Sequence, residues 1–239
     1  MHAPAQKPGQ AQFWLGVRMF LPVAISIASY GVVWGVLAGQ AGLSLIEVLL
    51  MSGLVFAGAS QFVALDMWTT GSLPIVPIIL AVGIVNLRLM LMSATLRPLV
   101  AHQPAHRGLA AMFFVSDEQW AMTMSELRKG RGSLAFMLGT GVLSWVSWVG
   151  STVAGRALGA FIDDPTAYGL DFAFTATFLA LLLGMWKGRG DLVPWFVGAL
   201  VAIATAQLIE GNWYIIAGGL VGSLAGAGAE ILGARRRVA

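Results

Sequence analysis

Residues 73–98 read LPIVPIILAVGIVNLRLMLMSATLRP, an apolar run whose only charges are Arg88 and Arg97. A helix needs about 20 mostly apolar residues to cross the hydrocarbon core of a bilayer, and this run supplies them without a single acidic residue. A membrane strand would alternate apolar and polar positions, whereas here Leu, Ile, Val and Met follow one another. The stretch therefore reads as a membrane helix with one arginine, Arg88, near its middle. The same texture recurs along the chain. Of its 239 residues, 58% are hydrophobic and 10% charged, against about 25% charged in an ordinary soluble domain. A mean hydropathy of +0.81 leaves no room for a sizeable water-soluble domain.

Eight helical segments are expected, at 13–38, 44–70, 73–98, 108–128, 132–161, 170–186, 191–209 and 212–233. The predicted fold is all-α: a polytopic integral membrane helical bundle of about six to eight transmembrane helices, with broken or re-entrant segments as one alternative. Residues 1–12 form a polar N-terminal tail carrying Pro4 and Pro8, residues 13–233 a single transmembrane domain, and residues 234–239 a basic cytoplasmic tail. No small-residue cleavage site follows a short apolar core, so the first run reads as a retained span rather than a signal peptide. Ser44-Leu45-Ile46-Glu47 has the form of a capping box opening the second segment.

The positive-inside rule places both termini in the cytoplasm. Eight crossings put Lys7, Arg128, Lys129, Arg131, Lys187, Arg189 and Arg235–Arg237 inside, and Asp163–Asp164 outside. Arg97 and Arg107 are then exceptions on the outer face. They move inside if the second and fourth segments are re-entrant, and the Gly58-Ala59-Ser60 break in the second keeps that alternative open. The formal charge of +3 sits mostly in loops, which reads as topology rather than affinity for nucleic acid.

Most charges have structural explanations. Arg18 and Arg156 lie near span ends, where long side chains snorkel to the interface. Glu47 belongs to a helix cap. His102 and His106 have metal-like spacing, but Pro104 between them breaks the helix that spacing needs. No metal or cofactor is therefore expected.

Three central charges resist such explanations. Arg88 lies mid-segment close to Asn86, and Asp117 and Glu118 lie at the centre of segment four. Each central acid costs about 3 kcal/mol on the insertion scale, so both should face protein, water or substrate. Ionisable residues at membrane depth are functional candidates with a partner expected at matching depth. Arg88 and the acids form either an ion pair that locks two helices or a polar midplane site for a zwitterion. Asn86 and Arg88, two apart, point to different helix faces.

Around them, Gly58, Ala59, Ser60 and Gln61 allow local unwinding that frees backbone groups for a substrate; close helix packing is the alternative. The expected substrate-binding set is thus Gly58, Ala59, Ser60, Gln61, Asn86, Arg88, Asp117 and Glu118. Thr140, Ser144, Ser147 and Ser151 share one helical face beside Trp145 and Trp148. That stripe serves either helix contact or a permeation path, whose expected lining is Phe56, Phe62, Ser144, Trp145, Ser147 and Trp148. Gly218, Gly222 and Gly226 form a small-residue seam for docking within the chain or onto a second subunit.

No catalytic residue is expected. The chain lacks a His-Glu-x-x-His zinc motif, a phosphate loop and a Gly-x-Ser-x-Gly elbow. It has no cysteine, which excludes disulfides and thiolate chemistry.

Several stretches together resemble the AzlC family, the large subunit of bacterial branched-chain amino acid exporters. They are Ala41-Gly42-Leu43-Ser44 with Glu47; Val55-Phe56-Ala57-Gly58-Ala59-Ser60-Gln61-Phe62; Asn86-Leu87-Arg88 with Met92-Ser93-Ala94 and Leu96; Ser116-Asp117-Glu118; and Ser144-Trp145-Val146-Ser147-Trp148-Val149-Gly150. The resemblance implies export of valine, leucine or isoleucine and a small AzlD-type membrane subunit as partner. Two departures stand out. Leu89 follows the arginine where family members often carry His, which removes a proton relay there. Ser116 replaces a Thr before the acids and keeps the hydroxyl.

Overall fold

A computed structural model describes residues 9–68, 73–161, 188–209 and 213–238, with isolated positions between 172 and 186. The N-terminal tail before Gly9, the acidic Asp163–Asp164 loop and most of the expected segment at 170–186 lie outside the described residues. The described elements are helical, with no strand among them. They are α1 (Gly9–Gln40), α2 (Leu45–Leu50) continued by a π-turn (Met51–Val55), α3 (Gly58–Asp66), α4 (Ile75–Thr95), α5 (Arg97–Val100), α6 (Ala105–Met112), α7 (Asp117–Arg128), α8 (Leu134–Gly159), α9 (Leu192–Leu208) and α10 (Trp213–Val238). Three of them, α1, α4 and α8, are long and apolar enough to cross a membrane. The chain divides into two compact units, residues 1–65 with 86–170 and residues 66–85 with 171–239, so one boundary falls within α4.

The spine of the first unit is the pair α1 and α8. Lipid is as apolar as leucine, so two helices gain nothing from hydrophobicity by associating and must pack closely through small residues. Glycines supply the approach. A Cβ on Gly16 would run into the Phe136 carbonyl, one on Gly139 into Phe13, one on Gly35 into Thr152, and one on Gly155 into Val32. Low numbers on α1 meet low numbers on α8, and high meet high, so the two helices are parallel. Thr140 and Ser151 spend their hydroxyls on carbonyls of their own helix, at Phe136, Met137 and Trp148. Ser151 also abuts Gly31. These two members of the hydroxyl stripe serve helix contact.

The second segment does not cross. Along a straight helix, residues nine apart are separated by about 13.5 Å, yet Gln61 Nε2 donates to Ser52 Oγ at 3.2 Å. The chain has turned back between them. It enters beside Leu43, whose carbonyl accepts from Arg156 Nε at 2.7 Å near the C-terminal end of α8. It then reaches mid-α8, where the Trp145 indole N–H donates to the Gly53 carbonyl at 3.0 Å. The turn is made at Phe56, at φ 43°. The expected break at Gly58–Ser60 therefore sits slightly earlier, at Phe56–Ala57, and Gly58 opens α3. Ser44 and Glu47 form both halves of the capping box at the hairpin's entrance.

The fourth segment turns back as well. Arg88 meets Asp117 at 3.0 Å, and one stretch further along both helices Thr95 receives the Trp120 indole N–H at 2.8 Å and lies 3.9 Å from Met124 Sδ. Helices α4 and α7 are consequently parallel. The chain leaving α4 at Thr95 must climb back through α5 and α6 before α7 can start level with Arg88. Leu96, Ala111, Val115 and Met137 pack together inside this second hairpin. An odd number of crossings must separate the parallel α1 and α8, and α4 alone provides it. The eight-crossing count accordingly gives way to its re-entrant alternative, which returns Arg97 and Arg107 to the face that holds Arg128, Lys129 and Arg131.

Arg156 and Glu126 tie down the ends. Arg156 does not snorkel freely: its side chain lies over Gly39 while bonding Leu43. The buried carboxylate of Glu126, 3% exposed, accepts from Arg131 through both oxygens and from Lys129 at 3.0 Å. In the second unit, Gly218 and Gly222 of α10 pack on Gly198 and Ala202 of α9, and Gly226 packs on Pro194. The seam expected from sequence is thus used within the chain.

Candidate functional site

Helix α8 is the ruler for the first unit. The second hairpin runs on into the start of α8 at Leu134 and the root of the first lies on Arg156, about 33 Å apart at 1.5 Å per residue, close to a bilayer's hydrocarbon thickness of about 30 Å. Between them, the side chain of Phe114 would meet a Cβ placed on Gly141, and Trp145 and Trp148 meet Gly53 and Gln61. The two hairpins thus enter from opposite ends of α8, and their tips meet near its middle. Phe56 of the first tip lies 6.2 Å from Phe113 of the second, ring centre to ring centre.

Helix α4 reaches both tips. Asn86 Nδ2 donates to Ser60 Oγ at 3.2 Å, while Arg88 pairs with Asp117. Two residues apart point to different helix faces, and here each face serves a different hairpin. The Arg88 and Asp117 side chains stay 33% and 39% exposed, so the pair borders open space rather than a sealed core. The Arg88 Nε is buried without a partner among the described residues.

The acids are not at the centre of a helix. Ser116 caps α7, its hydroxyl accepting from the Gln119 amide at 3.4 Å, which is the use of the hydroxyl that Ser116 retains. Asp117 and Glu118 then occupy the first turn, where the positive end of the helix dipole favours anions. That placement offsets part of the cost of acids at membrane depth. Glu118 lies on the exposed side.

The first residues of α3 carry no acid. Gly58 and Ala59 open that helix, and a Cβ on Gly58 would stand 3.0 Å from the Trp148 ring. Ser60 donates back to the Ala57 carbonyl at 2.8 Å, which satisfies a backbone group freed by the break. Gln61 is 1% exposed and engaged at both ends: its Oε1 accepts from the Trp148 indole N–H at 2.8 Å, and its Nε2 reaches Ser52. Phe56 and Phe62 are buried. Ser144 is 1% exposed with no hydrogen-bond partner among the described residues, and Ser147 joins none of these contacts.

Sequence reading missed Ser52, Phe113, Gln119 and Trp34. Gln119 is wholly buried and donates to the Met137 carbonyl at 3.2 Å. Trp34, wholly buried, places its ring 6.4 Å from that of Trp148. Gln119 had a visible signal, since Phe114-x-Ser116-x-x-Gln119-Trp120 repeats the pattern of Phe56-x-Gly58-x-x-Gln61-Phe62.

Residues 22–162, more than half the chain and the stretch that builds the C-terminal part of α1, both hairpins and α8, match the AzlC protein family. The chain belongs to the AzlC family. An uncharacterized membrane protein of Archaeoglobus fulgidus is 31% identical over 218 residues, covering 90% of this chain and 94% of that one. The inner membrane protein YgaZ of Escherichia coli is 30% identical, with 84% of each chain covered. The branched-chain amino acid transport protein AzlC of Bacillus subtilis is 25% identical over 87% of this chain and 82% of its own. No solved structure matches. As a member of the AzlC family, the chain is a membrane protein of a transport family.

Proposed function

We propose that this chain is the large subunit of a gradient-driven exporter of branched-chain amino acids, acting in the bacterial inner membrane with a small AzlD-type subunit. The observation that carries the reading is the meeting of two re-entrant tips at mid-depth beside the Arg88–Asp117 pair. Discontinuous helices with free ends near the bilayer midplane are how secondary transporters hold charged substrates. The name of the Bacillus subtilis relative supports the substrate class.

A branched-chain amino acid is a zwitterion with an aliphatic side chain. Its carboxylate suits the acid-free N-terminus of α3 at Gly58–Ala59 and the Arg88 guanidinium. Its amine suits Asp117 or Glu118, one of which can also carry a proton. Phe56, Phe62, Trp145 and Trp148 suit the side chain, each buried methylene contributing about 0.8 kcal/mol. With both hairpins re-entrant and both termini cytoplasmic, Arg97, Arg107, Arg128, Lys129 and Arg131 all lie inside, as the positive-inside rule favours.

The experiment is efflux of valine from cells loaded with valine-containing dipeptides, with this chain and its companion expressed together. Saturable efflux that collapses with the proton gradient is expected. Flux that neither saturates nor depends on a gradient indicates a channel. No flux from well-assembled protein indicates a scaffold. Either result overturns the reading.

A further inference from the structure

We propose that the two hairpins are inversely inserted copies of one gating module, with Gln61 and Gln119 as its matched positioning residues. The inference rests on the transport reading above and extends it to how each face opens. Residues 56–62 laid over residues 114–120 share a phenylalanine at the first place, a small residue at the third, glutamine at the sixth and an aromatic at the seventh. The structure gives the match a physical meaning. Gln61 and Gln119 are 1% and 0% exposed. Each lies early in the arm that leaves its tip, and each fastens that arm to α8, Gln61 through Trp148 and Gln119 through the Met137 carbonyl.

Met137 and Trp148 are about 16 Å apart along α8, on either side of the level where the tips meet. A buried amide is costly unless bonded, and the same costly residue stands at the same step of both hairpins. Loosening Gln61 frees the tip whose root lies at the Arg156 end of α8. Loosening Gln119 frees the tip whose root lies at the Leu134 end. Each release opens the midplane site to one face only, which is what alternating access requires. The two anchors differ in strength. Gln61 is bonded at both ends, whereas Gln119 Oε1 is buried without a partner among the described residues.

The chain's lack of cysteine makes single-cysteine reporters clean. Ala57→Cys and Val115→Cys occupy equivalent places in the two tips, and both positions are buried. Full-length protein in sealed vesicles is treated with a membrane-impermeant maleimide from either side. Gln61→Leu should raise labelling of Ala57→Cys about fivefold, the effect of losing one neutral hydrogen bond on an opening equilibrium. The rise should come only from the face at the C-terminal end of α8. Gln119→Leu should do the same for Val115→Cys from the opposite face only. Trp148→Phe, which keeps an aromatic side chain but removes the indole N–H, should reproduce Gln61→Leu, and Gln119→Met serves if Gln119→Leu fails to accumulate. Unchanged labelling in folded Trp148→Phe or Gln119→Met, or a rise from the wrong face or from both faces, overturns the proposal. Sided labelling without valine efflux would overturn the export reading and leave the gating pair standing. Efflux with unsided labelling would do the reverse.

Discussion

Phe56 and Phe113 face each other with ring centres 6.2 Å apart, although one sits at the tip of a hairpin rooted beside Arg156 and the other at the tip of a hairpin that runs into the opposite end of α8 at Leu134. Phe56 is held at φ 43°, a left-handed conformation that costs a non-glycine residue roughly 1–2 kcal/mol. The contact therefore secures a strained turn as well as joining the tips. Replacing Phe56 by glycine relieves the backbone but removes the ring. Valine efflux should fall about tenfold or more in protein that still assembles, and melting of the detergent-solubilised protein should also fall, because the relieved turn offsets only part of the loss of a buried ring. Normal efflux in Phe56→Gly would show that the tip contact has no role in transport.

The Arg88–Asp117 pair makes a prediction about matched and unmatched charge. Breaking a buried pair on one side only costs about 3–5 kcal/mol, because a charge is left alone. This pair is about one-third exposed, so a smaller cost is expected. Arg88→Gln and Asp117→Asn should each lower the accumulated protein, and the double variant should accumulate better than either. Efflux should be lost in all three. If both single variants export normally at equal protein levels, the polar cluster has no part in transport.

The parallel pair α1 and α8 is the most sensitive packing element. Gly35→Val or Gly155→Val drives a side chain into the partner's backbone, and overpacking of this kind costs about 1–3 kcal/mol. Gly150→Val is the control, since nothing lies within 4 Å of its Cβ position. Thermal melting should place the first two well below the parent and Gly150→Val beside it.

Glu126 offers a separate test at the base of the second hairpin. Its carboxylate receives Arg131 through two nitrogens, at 2.9 and 3.1 Å, a fork that lysine cannot reproduce. Arg131→Lys should therefore lose most of what Arg131→Ala loses. A fully stable Arg131→Lys would mean that the fork geometry is immaterial.

Hydropathy alone located α1, α4, α8, α9 and α10, because each is a continuous apolar run at least most of a bilayer long. The capping box at Ser44–Glu47 was equally plain, being a local hydrogen-bond pattern written in two residue types. Direction was harder to read. Whether segments two and four cross or turn back depends on which residues they meet, as Gln61 meets Ser52 and Asp117 meets Arg88. Those contacts are not encoded in local periodicity. Asn86, Arg88 and Asp117 stood out as candidates because charge and amide groups are expensive at that depth, and the fold brings them to the two hairpin tips. Gln61 and Gln119 were less so. A buried amide that binds a helix and one that binds a substrate look alike until its neighbours are known, and Trp148 is such a neighbour.

The central claim is that segments two and four are re-entrant, and sidedness tests it most directly. Single cysteines at Arg107, in the first turn of α6, and at Arg131, just past the end of α7, bracket the tip of the second hairpin, and the parent chain has none to interfere. Labelled with a membrane-impermeant maleimide in intact cells and then in inverted vesicles, both should react only in the inverted vesicles. Labelling of Arg107→Cys from outside and of Arg131→Cys from inside would show that the fourth segment crosses, and would contradict the account.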